Sequence, residues 1–541
     1  MSVQDKMPPL RAALIVDGPT LPTWVADAVS LAVASERIRV VALFVCTNNN
    51  KRRRMVKHLA YYGMRFLFMR PKSWRSVPVS NVVDDDVERV IFSAEEEGAW
   101  QRLPKDVLDR AAEFDLDVAL KFGMGLLRDP QLFPARNGVL SYHHGDPFRY
   151  RGRPAGFYEL RDDASYVGAV VQRLSNRLDG GEYLAQGHFR IERHSYRNTL
   201  ESLYTGSVVL LEKALLECVK ELPKERPPLG SNYRLPSNGV VVSFLMRLLY
   251  RKMQRLSYGV FWRKAWRLFE IDSAELTKLT YNQVLQGNPL PLPSNADFLA
   301  DPFYLDGMGQ WILCERMPES SVHGDIVRIG PERGSAEVLL AEPGRHISYP
   351  YVFASAERLF MIPEVAGWSS PFLLEMDPCS ANPLRKIMLK GLETERLLDP
   401  TLVEYEGTFW LFASPETPYR KMDSLMLWYS DTIEGPYEGH PMNPIVQSPG
   451  TARSAGKFMK RDGRLIRFGQ DNSAGYGARL AVMEIQVLTK ERYRERQIGR
   501  FQLKDWCGPH TIDFSSKNVL VDGYQNVFDP FAWVQRLRER F

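Results

Sequence analysis

A chain of 541 residues is longer than one hydrophobic core usually serves, so two or three domains are expected. Its 44% apolar and 25% charged content is ordinary for a globular protein, and a net charge of +5 is too small at this length to point to nucleic acid. The five cysteines (Cys46, Cys218, Cys314, Cys379 and Cys507) are scattered without a C-x-x-C spacing. That excludes a zinc-finger pattern or a disulfide framework, and no metal is expected. The opening residues lack the pattern of a signal peptide and no apolar run reaches transmembrane length, so a cytoplasmic protein is expected.

Residues 1–221 alternate strand and helix signals. Arg11–Asp17, Ile38–Val45, Asp117–Phe122 and Gly138–Tyr142 read as short buried strands, with helical periodicity around Leu21–Val33 and again over Asn198–Lys220. This alternation predicts an α/β domain with a parallel, doubly wound, Rossmann-like sheet. The strand at Gly138–Tyr142 runs into Ser141-Tyr142-His143-His144-Gly145 and a basic loop with Arg149, Arg151 and Arg153. Ligands bind at the carboxyl ends of such strands, which places His143 and His144 where chemistry is done. Leu178-Asp179-Gly180-Gly181 follows a further apolar run, and its glycines allow a turn that brings Asp179 back toward the site.

Residues 222–295 form a Pro-rich linker around Val240–Phe269, an apolar and aromatic stretch with seven Arg or Lys and no acid. One reading is an interfacial helix on anionic lipid, which would put the protein at the periphery of the inner membrane; the other is a connecting helix packed between domains. Residues 296–541 then repeat. Asp301-Pro-Phe-Tyr-Leu precedes Gly309, and Asp399-Pro-Thr-Leu-Val precedes Gly407; Tyr349–Phe353, Ala455–Met459 and His510–Phe514 fit the same template. A period of about 50 residues in an all-β segment predicts a five-bladed propeller.

The first domain resembles the folate-dependent formyltransferases. Their Asn-x-His, Arg-Gly and Leu-Asp-(Gly/Thr)-Gly elements correspond to Ser141-Tyr-His143, Arg151-Gly152 and Leu178–Gly181, with a serine in place of the asparagine. The resemblance implies an N-formyltransferase that moves a formyl group from 10-formyltetrahydrofolate to the amine of an amino sugar, nucleotide- or lipid-linked, in surface glycan synthesis. It makes His143 the oxyanion donor and proton shuttle, Asp179 its carboxylate partner, and Ser141 and His144 secondary groups. Phe122, Gly123, Met124, Gly125 and Leu126 would hold the folate, and Arg149 and Arg151 an anionic part of the sugar substrate. No nucleic-acid partner is implied, since a propeller stands where a tRNA formyltransferase carries a small barrel.

The repeat domain resembles furanosidase-type propellers and, more closely, the propeller found with glucosamine inositolphosphorylceramide transferases. The elements that carry this likeness are Ala300–Phe303, Ser348–Phe353, Ile362–Glu364, Asp399–Thr401 and His510–Thr511. Asp301 and Asp399 match a base and a supporting aspartate, but the blade expected to supply the acid reads Arg453-Ser454-Ala455. Asp301, Glu364 and Asp399 are therefore read as binding or orienting a carbohydrate. The alternatives to formyl transfer are a carbohydrate-processing propeller beside a degenerate formyltransferase domain, and a non-catalytic glycan-binding scaffold.

Overall fold

The computed structural model describes residues 8–48, 56–220, 230–273, 282–305, 310–319, 321–417 and 423–538. Gly309 of the first repeat and residues 222–229 of the Pro-rich stretch lie outside the described residues. The chain is multidomain and largely β, and it divides into two compact units, Met1–Lys252 and Met253–Phe541.

The first unit is built on a seven-stranded sheet. Its order is Glu182–Arg190, Tyr166–Arg173, Val139–His143, Val118–Phe122, Leu10–Asp17, Ile38–Cys46 and Glu88–Phe92. The last five strands run parallel, and the first two are added antiparallel. Side chains alternate across a strand, so Ala12, Leu14 and Val16 face one side while Ala13 and Ile15 face the other. The first set packs with Trp24, Val25 and Ala28 of helix Thr23–Ala34 and with Leu210, Leu211 and Ala214 of helix Leu210–Cys218. The second packs with Val107 and Ala111 of helix Lys105–Ala112. Apolar cover on both faces explains why these strands read as unbroken apolar runs. Parallel strands also end on one edge, which collects Asp17, Phe122 and His143 there.

The second unit is a five-bladed propeller. Three blades start with an inner strand at Ala296–Tyr304, Ser348–Ser355 and Leu397–Tyr405, and each continues outward as an antiparallel sheet. The fourth runs outward from Met459–Arg461 through Tyr493–Leu503 and takes Asn282–Leu285 as an added parallel strand. The fifth orders Ile512–Phe514, Asn518–Phe528 and Trp262–Asp272. Two outer strands therefore come from residues that the sequence pattern places in a linker. The cause is visible in the burial: Arg263, Lys264 and Arg267 interrupt an otherwise strand-like set in which Leu268 and Phe269 are both buried, on opposite faces. Leu268 enters the core shared with Leu299 and Ile312, and Phe269 the core shared with Ile466 and Phe501.

Asp301, Tyr349 and Asp399 take left-handed backbone conformations, with φ of 51°, 46° and 48°, and a proline follows each. Such a conformation is costly for a residue with a side chain and persists only where its surroundings hold it. Three blades thus turn the same residue of their inner strand toward the middle of the ring by the same local strain.

Replacing Phe269 with alanine should destabilise the second unit by about 3–5 kcal/mol, because a fully buried ring is lost between two blades. Denaturant unfolding of the full chain followed by tryptophan fluorescence measures this. A change below about 1 kcal/mol would mean that the added strand does not close the ring.

Candidate functional site

Among the described residues, each unit holds a buried polar cluster that includes residues singled out by the sequence. In the first, the carboxyl end of strand Val139–His143 places His143 against Asp179, with Nδ1 and Oδ1 3.2 Å apart. Asp179 sits at a turn with φ 49°, and its other oxygen accepts from the Gly152 amide at 3.1 Å. Gly181 is required beside it, since a Cβ there would lie 2.0 Å from the Arg173 carbonyl oxygen. Burial works against the imidazolium, yet the hydrogen bond and charge of Asp179 outweigh it and raise the His143 pKa. Burial likewise opposes the Asp179 carboxylate, but His143, the Gly152 amide and Arg151 hold its pKa below the usual range. With Nδ1 engaged, Nε2 is left buried and without a well-formed hydrogen bond. A histidine oriented through one nitrogen and open at the other is built to take or give a proton at the open one.

The other residues singled out by the sequence do not join this pair. The Ser141 hydroxyl donates to the Lys121 carbonyl at 3.1 Å. His144 lies in an aromatic nest of Trp24, Tyr142 and Tyr204, with Nε2 3.2 Å from the Ser207 hydroxyl. Burial, with a lesser push from His143, lowers its pKa to about 3, so it stays neutral. In the loop Phe122–Leu126, Lys121 Nζ donates to the Gly123 carbonyl at 2.7 Å, and Gln101 Oε1 accepts from the Gly125 amide. Arg151 is spent on the Gly230 carbonyl at 2.7 Å, and Arg149 lies exposed over the Tyr150 ring. Sequence reading passed over Lys121, whose burial lowers its pKa to about 8 against the opposing charge of Asp17.

The second cluster stands at the inner strands of the propeller. Asp301 accepts from the Thr511 hydroxyl at 2.7 Å and lies 3.3 Å from His510 Nδ1. His510 leans further toward Asp522, 3.0 Å from the same nitrogen, and its Nε2 meets the Tyr476 hydroxyl at 3.0 Å. Asp522 is therefore the principal counter-charge of His510, whose pKa is raised despite its burial. Burial drives Asp301 up to about 6, with His510 opposing and the charges of Asp522 and Asp399 adding to the rise. Asp301, His510 and Asp522 are close enough to share a cation, although their hydrogen bonds already account for the arrangement.

Opposite them, Asp399 is clamped by Arg453, which reaches both carboxylate oxygens, one of them at 3.1 Å. Gln470 Nε2 donates to Asp399 at 2.8 Å. Glu364 accepts from the Asp399 amide at 2.8 Å and stands 3.6 Å from Arg453. Burial and the Asp399 charge push Glu364 well above the ordinary carboxyl range, and burial pushes Glu315 the same way. The structure therefore brings Asp301, Glu364 and Asp399 together, as the sequence reading has them. Arg453 entered that reading only as a missing acid. Asp522 and Tyr476 carried no motif, though Asp522 follows a buried run, Val519–Val521.

Residues 283–508 match the family model described as glucosamine inositolphosphorylceramide transferase 1, N-terminal. Over 212 residues the chain is 35% identical to glucosamine inositolphosphorylceramide transferase 1 of Oryza sativa subsp. japonica, which covers 38% of this chain and 28% of the relative. The protein of the same name from Arabidopsis thaliana is 34% identical over 259 residues, 43% of this chain and 32% of the relative. The chain thus spans about a third of the length of the curated relatives it matches. Among solved structures, Cellvibrio cellulosa α-L-arabinanase complexed with arabinohexaose is 14% identical with a TM-score of 0.31, covering 39% of this chain and 85% of that one. Glycinamide ribonucleotide transformylase 1 of Symbiobacterium toebii is 15% identical with a TM-score of 0.29, covering 41% and 94%. Likenesses at these scores say nothing of activity.

These relatives correct the activity expected from the first domain. They are named for glucosamine inositolphosphorylceramide transfer, not for formyl transfer, so the formyltransferase assignment and its donor 10-formyltetrahydrofolate are withdrawn. The local geometry agrees, since Ser141 is turned to a backbone carbonyl and two backbone groups of the loop meant for folate are occupied by the chain's own side chains. What stands is a domain similar to the N-terminal region of those transferases, on a propeller fold.

The buried pair in the first unit has a pH signature. His143 has its pKa raised from 6.5, so its stabilisation is full below that value and is lost as pH rises through the folded-state value. Asp179 has its pKa lowered from 3.8, so its share is full above that value and is lost as pH falls through the folded-state value. The stability gap between the protein and Asp179→Asn should thus be widest between pH 3.8 and 6.5, the ordinary values of the two groups, and should narrow on either side. Denaturant melts across pH measure the gap, and a gap that is flat from acid to alkaline pH would exclude the charged pair.

Proposed function

We propose that the second unit is a carbohydrate-recognition propeller that holds and orients an amino sugar, nucleotide- or lipid-linked, for a glycosyl-transfer reaction, and does not hydrolyse glycosides. The observation that carries this reading is the clamp of Arg453 on Asp399 beside Glu364. Hydrolysis by inversion needs one carboxyl to protonate the leaving oxygen and a second, across the bond, to activate water. Here a guanidinium stands where the acid is required, and Asp399 is engaged by two donors and nearly inaccessible. What is left is a rigid set of hydrogen-bonding groups, with Asp301, Glu364 and Tyr476 around it. Carboxylates outnumber cations in this cluster, which favours a sugar bearing an ammonium group. The names of the relatives, with their glucosamine and their ceramide, support the same class of substrate.

Calorimetry of the full chain with nucleotide-linked hexosamines, free-amine and N-acetylated, tests the reading. The free amine should bind more tightly, and its affinity should rise as pH passes through about 6, where Asp301 ionises. Asp301→Asn should weaken binding about tenfold, the cost of a lost charged acceptor. Sugar release from arabino-oligosaccharides by the unaltered protein would falsify the reading, because the propeller would then carry its own acid.

A further inference from the structure

The second unit exposes a set of large apolar side chains that its own fold does not cover. The last turns of helix Asn238–Phe261 present Leu256 and Phe261, the adjoining strand ends present Trp262 and Phe528, and Phe531 and Trp533 stand at the start of helix Ala532–Arg538. Phe531 is 69% and Phe528 63% exposed, so most of each ring faces solvent. The patch is rigidly assembled. Phe528 stacks with Phe261 at 6.2 Å and meets Trp262 edge-on at 5.8 Å. Arg536 binds the helix to the strand end: its guanidinium donates to the carbonyls of Tyr258, Gly259 and Trp262. These groups would otherwise be left unpaired where the helix stops.

Beside the patch lies a cavity of about 190 Å³ lined by Arg263, Lys264, Arg536, Trp266, Phe298 and Asp297. Three cations line it against one carboxylate, though Arg263 also pairs with Asp529 at 3.2 Å and Lys264 donates to the Tyr476 carbonyl at 2.7 Å. We propose that this surface is a membrane contact: the aromatic patch enters the interfacial zone of an anionic bilayer, and the basic cavity takes the phosphate of a lipid head group. Tryptophan and phenylalanine flanked by arginine and lysine are the composition that zone favours, and a basic pocket at its level suits an anionic head group. A second copy of the chain fits less well. A two-fold interface sets a patch against itself, and the rim of Arg255, Arg263 and Arg536 would then meet like charge. Among the described residues no helix is long and apolar enough to cross a membrane. The cavity wall also touches the sugar cluster, since the Trp266 ring lies 4.9 Å from that of His510. The membrane contact rests on the exposed patch and the basic cavity, independently of the sugar reading, and is tested without sugar.

Sedimentation of the full chain with vesicles of phosphatidylcholine alone, and of phosphatidylcholine mixed with phosphatidylglycerol, provides the test. Binding is expected to the mixed vesicles, to weaken as salt is raised, and to fall about tenfold for each aromatic removed in Phe531→Ser and Trp533→Ser. Both side chains are exposed, so the variants should keep the parent melting curve. Should they fail to fold, quenching of the unaltered protein's tryptophan fluorescence by brominated phosphatidylglycerol vesicles decides the matter. Absence of vesicle binding or quenching would overturn the proposal. So would a dimer, seen by sedimentation velocity, that the same substitutions split.

Discussion

Closure of the propeller depends on one strand pairing. Trp262–Asp272 runs antiparallel to Asn518–Phe528 through eleven residue pairs, from Trp262 opposite Phe528 to Asp272 opposite Asn518. Because these segments come from opposite ends of the unit's sequence, their pairing builds the fifth blade from both and closes the ring. The central chemistry follows from it. Asp522 lies on the closing strand, opposite Leu268, and its carboxylate accepts from the amides of Asp301, His510 and Thr511. One buried carboxylate thus ties the first inner strand to the last, and the imidazole of His510 is oriented by the same contact.

How much of this could be read from the chain depended on whether the signal was local. The repeats of Asp-Pro and their glycines announced the propeller, because each blade must turn tightly and restart its inner strand. Phe269 and Leu268 announced nothing, since three basic residues break their pattern and the partner strand lies some 250 positions away in sequence. In the first unit, the spacing of His143 and Asp179 did foretell their meeting, because a strand end and a Gly-Gly turn constrain position locally. The roles of Ser141 and His144 depended instead on which way each side chain turns. Packing of Trp24, Tyr142 and Tyr204 settles that for His144, and none of the three is near it in function or, for two of them, in sequence.

Burial of titratable groups recurs at both clusters. His143 Nε2 lacks a well-formed hydrogen bond, and burial pushes the pKa of Glu315 and Glu364 well above the ordinary carboxyl range. A protein interior normally pairs such groups, and an exception kept in a rigid setting is a place where affinity for a ligand can be stored. The two units differ in how they do this. The first isolates a single histidine–aspartate pair at a strand end, whereas the second gathers several carboxyls around one guanidinium and one imidazole.

Arg453 has a consequence for how this propeller can evolve. Its positive charge is the counter-ion of Asp399, with both side chains buried, and lies within reach of the largely buried Glu364. A single mutation to glutamate would leave three carboxyls side by side with their cation gone. At least two would be forced to keep their protons, and the clamp on the inner strand of the third blade would be released. Reversing the charge at this position therefore demands compensating changes at Asp399 or Glu364, since the single step is less stable than its parent.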